Sequence, residues 1–336
     1  MRSSRVTWLS IAGGVAVLLL AGLAAVAWYS FVVPGKAHEG PLPPPTAEER
    51  AMAERLRMDV TTIASVPHNV QHYEAFERAA QHIERMLQGL GYAMDPQVFT
   101  VSGRSVRNIE ATREPKTVTP DTETLVLGAH YDSFENAPGA NDNGTGTAAV
   151  LELARLLKDW QPARTRVRYV LFVNEEPPYY RTPDMGSLRY VKRLVERNEK
   201  VRGMISLETL GAFSDEPGSQ TYPPPFGLFY PSTANFVAFI GLPGSRTFLH
   251  EVLGPFRKHT AFPSLGGISS DFIPGIGWSD HWSFSQQGYP AVMVTDTALF
   301  RYRHYHLPSD TPDKIDYAKL ARITKGMEWV VREIAP

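Results

Sequence analysis

Residues 124–133 read TLVLGAHYDS. A short apolar run that stops at a histidine and an aspartate, His130 and Asp132, has the pattern of a strand buried on both faces and ending at a polar edge. The pattern returns twice. RVRYVLFVNEEPP over 166–178 runs into Glu175 and Glu176, and GMISLE over 203–208 ends on Glu208. Between these stretches, Gly146 to Trp160 and Leu188 to Arg197 place apolar residues at helical spacing. Strands alternating with helices specify an α/β fold with helices on both faces of the sheet. Ligands in open sheets of this kind bind beyond the carboxyl ends of the strands, which is where the acids and the histidine fall. Working outward, helices are predicted over Glu48–Ile63 and Gln71–Leu90 and strands over Gln97–Val101 and Val106–Ala111. Further strands are predicted over Phe226–Tyr230 and Ala291–Thr295, and helices over Arg246–His259 and Tyr317–Ile334. The segments Ser214–Pro225 and Phe262–Gly277 carry no readable pattern, and side-chain specificity is therefore not legible.

The N-terminus has a different character. Arg2 and Arg5 precede a run that is uncharged from Val6 to Val33, longer than the ~7–15 residue core of a cleaved leader. A helix through it separates Trp8 from Trp28 by about 30 Å, the thickness of a bilayer's hydrocarbon core. Residues 1–33 are thus expected to be a transmembrane anchor, with cleavage after Ala27 in the small-x-small site Ala25–Ala27 as the alternative. The positive flank places the rest of the chain outside the cytoplasm, membrane-anchored if uncut and secreted if cut. Residues 34–46, PGKAHEGPLPPPT, read as an extended stalk, and residues 47–336 as one catalytic domain. Among the 336 residues there are 34 Lys and Arg against 35 Asp and Glu, with no basic block, so nucleic acid is not an expected partner. The chain has no cysteine, which excludes a disulfide framework, a thiol nucleophile and every thiolate metal site, so any metal must be held by His, Asp and Glu. Nothing in the sequence sets an oligomeric state.

A single carboxylate or histidine at a strand end is ordinarily structural. Adjacent acids closing a buried strand, however, repel one another unless a cation lies beside them. Carboxylate oxygens combined with imidazoles suit catalytic zinc. The ordered segments HYD, GANDNGTG, NEEPP, SLE, SDHWSF and YHLPSDT, from Gly128 to Asp313, together resemble the M28 family of zinc-dependent exopeptidases, the aminopeptidase Y and leucyl aminopeptidase group.

The resemblance implies a three-layer α/β/α sandwich with a mixed central sheet. It implies two Zn2+ ions per chain, one held by His130 and Glu208, the other by Glu176 and His306, with Asp142 bridging them. Glu175 matches the general base, and Asp132 the carboxylate that orients the His130 ring. A cis peptide between Asp142 and Asn143 is implied as well. The reaction implied is hydrolysis of N-terminal residues from exported peptides, with Glu175 moving the proton of a zinc-activated hydroxide. Glu208 stands where the family often has Asp. His304 competes with His306, but only His306 fits Tyr-His-x-x-x-Asp-Thr through Tyr305, Asp310 and Thr311, in which Asp310 either supports His306 or forms a turn. Asp280 and His281 match a recurrent segment without an evident metal role. The alternatives are a glutaminyl cyclase with a single zinc and a non-catalytic ectodomain. Other motifs fail on context. Gly144–Ala149 does not follow a strand closely enough to hold a dinucleotide, Gly254 breaks the HExxH-like string at His250, and G-x-S-x-G is absent.

Overall fold

The structure is a computed structural model describing residues 2–224 and 226–335, with side chains from Gly13 onward; the side chains of Arg2, Arg5 and Trp8, and Pro225, lie outside the described residues. In chain order the helices are α1 (Arg2–Phe31), α2 (Ala47–Ile63), α3 (Tyr73–Gly89), α4 (Gly146–Leu156), α5 (Gly186–Glu196), α6 (Arg246–His259), α7 (His281–Gln286), α8 (Ala298–Arg301) and α9 (Tyr317–Ile334). The strands are β1 (Ala93–Met94), β2 (Gln97–Val101), β3 (Arg104–Arg113), β4 (Thr124–His130), β5 (Arg166–Phe172), β6 (Val201–Glu208), β7 (Val237–Gly241), β8 (Ser264–Ile268) and β9 (Ala291–Thr295).

The sheet runs β1-β3-β5-β4-β6-β9-β7-β8, with β2 paired to β3. It is mixed. β5, β4, β6 and β9 are mutually parallel, β3 pairs antiparallel with β5, and β7 pairs antiparallel with β9. Strand alternation divides the core. Leu125, Leu127 and Ala129 of β4 join the large cluster formed with α2, α3, α4, α6 and α9, while Val126 joins Tyr190 of α5 and Phe284 of α7 on the opposite face. This is the expected three-layer α/β/α sandwich. The four central strands are buried almost throughout and all end on one edge, which aligns His130, Phe172, Glu208 and Thr295.

Some expectations are corrected. Phe226–Tyr230 is no strand. Residues 226–228 form one short helical turn after a proline run that cannot donate to a ladder, and Leu228 is 82% exposed. The strands β7 and β8 were not foreseen; β8, SLGGI, carries two glycines that depress strand propensity. α4 stops at Leu156, short of Trp160.

α1 contains an apolar stretch, Gly13–Phe31, with mean hydropathy 2.0 and none of it buried in the protein. The segment after it does not stand free. Proline-rich backbone cannot join a ladder, yet its carbonyls remain available as acceptors. Arg257 donates to Pro34 O at 2.8 Å, Arg322 donates to Pro43 O at 2.7 Å, and Leu42 packs against the core. The strap ends at Thr46, which caps α2 in a capping box with Glu49.

Candidate metal centre

His130 is the last residue of β4 and Glu208 the last of β6, so two parallel strands deliver an imidazole and a carboxylate to the same edge. β5, on the other side of β4, leads into Glu175 and Glu176 through Asn174, whose φ of 57° turns the chain at the strand end. Asp142 comes from the tight turn 140–145, entered through Gly139 at φ 71°, where a Cβ would lie 2.6 Å from the Asp142 carbonyl oxygen. The Asp142–Asn143 peptide is cis. His306, after α8, adopts φ 58°.

All the candidate ligands converge. His130 Nε2 lies 3.3 Å from Asp142 Oδ1 and 3.4 Å from Glu208 Oε1. His306 Nε2 lies 3.0 Å from the other Asp142 oxygen, Oδ2, and 3.3 Å from Glu176 Oε1. The two oxygens of Asp142 thus face two different sets, His130/Asp142/Glu208 and Asp142/Glu176/His306, each compact enough for one ion. Glu175 Oε2 stands 3.9 Å from His130 Nε2. His304 turns away, with Nδ1 2.9 Å from Ser309 Oγ.

Neighbouring groups hold these side chains. The His306 ring is stacked between Phe134 at 4.0 Å and Tyr305 at 3.8 Å. Glu208 Oε2 accepts from Ser279 Oγ at 2.7 Å and from Asn143 Nδ2 at 3.2 Å. One expectation changes in detail, and one open alternative is decided. His130 Nδ1 lies 3.1 Å from the main-chain oxygen of Asp132 and 3.6 Å from its carboxylate. The carboxylate instead accepts the backbone N–H of Glu175 (3.1 Å) and of Glu176 (3.2 Å), fixing the two-acid segment as a unit. Asp310 does not reach for His306. It accepts the N–H groups of Asn141 and Asp142 and the Tyr302 hydroxyl, holding the 140–145 turn in place. Phe134, Asn143, Ser279 and Trp278 were not singled out as site residues. Asn143, Ser279 and Trp278 lie within or beside the quoted segments, whereas Phe134 has no signal beyond its place two residues past Asp132. Asp280 and His281 are fully buried behind the site, where His281 Nε2 donates to Ile276 O.

The electrostatics ask for cations. Burial raises the Glu176 carboxyl, and the nearby Asp142 adds to this, to about 8. Burial likewise pushes Glu175 well above the ordinary range. Burial would lower His306, but the carboxylates of Asp142 and Glu176 beside it override this and lift the ring to about 10. Among the described residues no Lys or Arg pairs with these carboxylates; their ionic partners are the two imidazoles. Glu176 Oε1 and His306 Nε2 are buried and face each other at 3.3 Å, yet neither has a hydrogen-bond partner. Two unpartnered donor atoms of this kind fit a shared metal ion.

Residues 108–331 match the family described as Peptidase family M28. The chain belongs to that family. This M28 protein is 34% identical over 294 residues to the uncharacterized protein YfbL of Escherichia coli, covering 84% of this chain and 88% of the other. A probable zinc metalloprotease of Pyrenophora tritici-repentis is 26% identical over 233 residues, 61% of this chain and 47% of that protein. An aminopeptidase from Aneurinibacillus sp. strain AM-1 superposes with a TM-score of 0.67 at 16% identity, covering 86% and 95% of the two chains. A Fimbriiglobus ruber glutaminyl cyclase gives 0.61 at 20% identity over 90% and 99%. At those identities both structures speak for the fold alone. Family membership makes the chain a hydrolase acting on peptides, and the relatives support zinc as its metal.

Proposed function

We propose that this M28 peptidase is an aminopeptidase using two zinc ions, held by His130 and Glu208, by Glu176 and His306, and by Asp142 between them. The observation that carries the reading is the division of Asp142, with Oδ1 toward His130 and Oδ2 toward His306. A cyclase with a single zinc has no need of a second complete set. Zinc bound there would lower the pKa of a water and polarise the scissile carbonyl. The protein supplies the proton transfers. Glu175 lines the cleft, and burial raises its proton affinity, which suits a carboxylate that takes a proton from water and then delivers it to the leaving amine. Asp132 keeps Glu175 in place through its backbone N–H. The carboxylate-rich floor suits the free α-ammonium group of a peptide's N-terminus.

The cleft is walled by Phe134, Tyr180, Trp278 and Tyr305. Past Glu208, Trp278 and Tyr305 it adjoins a recess bounded by Ile240, Met293, Leu299 and Phe300, of a character to take an apolar N-terminal side chain. We further propose the division into an anchor over 1–33, a linking segment over 34–46 and a catalytic domain over 47–336. α1 spans a membrane with the catalytic domain on the extracytoplasmic side. Hydrolysis of leucyl and alanyl peptides but not their N-acetylated forms, abolished by chelation and restored by zinc, is the expected result. Conversion of N-terminal glutamine to pyroglutamate with no peptide hydrolysis would replace this reading with the cyclase.

A further inference from the structure

On the side of the sheet's β7–β8 edge lies an apolar cavity bounded by Phe31 at the end of α1 and by Phe226, Tyr230, Phe239, Ile273 and Phe300. Two loops, 226–230 and 270–276, contribute to its wall, and their outermost side chains are large and apolar. Leu228 is 82% exposed, Phe229 72% and Phe272 94%. Single exposed hydrophobic residues are ordinary, but three on two loops around one apolar cavity make a patch that calls for a partner.

The position of α1 says which partner. Its last turn is fastened to this face. The Phe31 ring meets Tyr230 edge-on at 6.2 Å, and the Ser30 carbonyl oxygen sits 2.9 Å from where a Cβ on Gly267 would be. Arg246 lies over the Trp28 ring at 4.4 Å and donates to Tyr29 O and Val32 O, each at 3.1 Å. The apolar stretch of α1 ends at Phe31, so a bilayer spanned by it has its boundary at Trp28–Phe31. Tyr230 stands at that level, flanked by Leu228 and Phe229. Aromatic rings and an arginine at the same level are the residue types that settle where hydrocarbon meets headgroups.

We infer that the loops 226–230 and 270–276 insert Leu228, Phe229 and Phe272 into the interfacial layer of the bilayer that α1 spans, so that the catalytic domain lies on the membrane surface. The inference rests on α1 being an anchor. It also narrows the substrates. Phe272 and Trp278 belong to one short segment, and Trp278 walls the catalytic cleft, so the cleft is held close to the headgroups and takes peptides that are already at the membrane surface.

The absence of cysteine makes the test direct. The full chain carrying Leu228→Cys, Phe272→Cys, Leu19→Cys in α1 or Val195→Cys in α5 is labelled with a thiol-reactive NBD dye. Each is reconstituted in phosphatidylcholine/phosphatidylglycerol vesicles with nitroxide-bearing acyl chains, and zinc uptake verifies folding. The expected result is a blue shift and strong quenching at 228, 272 and 19, with neither at 195. Quenching at 19 but not at 228 and 272 overturns the docking while leaving the anchor and the peptidase reading intact. Loss of quenching at 19 overturns the anchor and the docking with it. Labels at 228 and 272 that escape the nitroxides but self-quench as protein density rises would assign the patch to a second copy of the chain and overturn the inference.

Discussion

Asp132→Asn isolates the role of one carboxylate without changing its shape. Asp132 is 2% exposed, and its two oxygens each accept one backbone N–H, from Glu175 and Glu176. An amide offers one oxygen. Its NH2 group must face the other backbone N–H, donor against donor. The loss of a hydrogen bond to a charged acceptor costs about 1.5–3 kcal/mol and the stranded buried N–H about 1–3 kcal/mol, so the destabilisation expected is about 2.5–6 kcal/mol, a large share of a domain's ~5–15 kcal/mol. Since the freed segment carries Glu175 and Glu176, zinc affinity should also fall by ~10–100-fold and kcat by about 100-fold. Urea unfolding, competition with a chromogenic chelator and steady-state hydrolysis of a leucyl substrate measure the three. A variant within about 0.5 kcal/mol of the native protein, a margin typical of surface changes, with unchanged zinc affinity would refute the clamp.

Glu175→Gln should lower kcat by ~10²–10⁴-fold while zinc content by atomic absorption stays at the native level; loss of zinc would make Glu175 a ligand. His306→Ala should remove zinc and activity, whereas His304→Ala should keep both, and the opposite pattern would exchange their roles. Acid stability depends in part on His281, whose ring burial holds at about 4, against an ordinary value of 6.5. The folded state refuses a proton that the unfolded chain accepts, so stability is full above pH ~6.5 and declines toward pH ~4 by about 3 kcal/mol. His281→Gln should flatten that part of the pH–stability curve, and an unchanged slope would show that His281 is not responsible.

The central strands and their site residues were legible because a fully buried parallel strand reads as an apolar run, and the first polar residue after it must lie at the sheet's edge. That places His130, Glu175, Glu176 and Glu208 from local sequence alone. His306 lies far downstream in an irregular loop, and only the family resemblance pointed to it. The two roles open to Asp310 could not be separated from sequence, because the N–H groups it accepts, on Asn141 and Asp142, are remote along the chain. The β7–β8 edge escaped because glycines and prolines dilute its pattern, and FGLFY after three prolines imitates a strand. Arg257 and Arg322, which bind the proline-rich segment, carry no local mark of what their guanidinium groups reach.

The two zinc ions proposed to flank Asp142 can be counted by anomalous scattering at the zinc edge from crystals of the zinc-loaded protein. Two peaks about 3.5–4 Å apart are expected, one beside His130 and Glu208, the other beside Glu176 and His306. A single fully occupied peak at saturating zinc, with His306 Nε2 bound to no metal, would contradict the two-ion centre and with it the role given to Asp142.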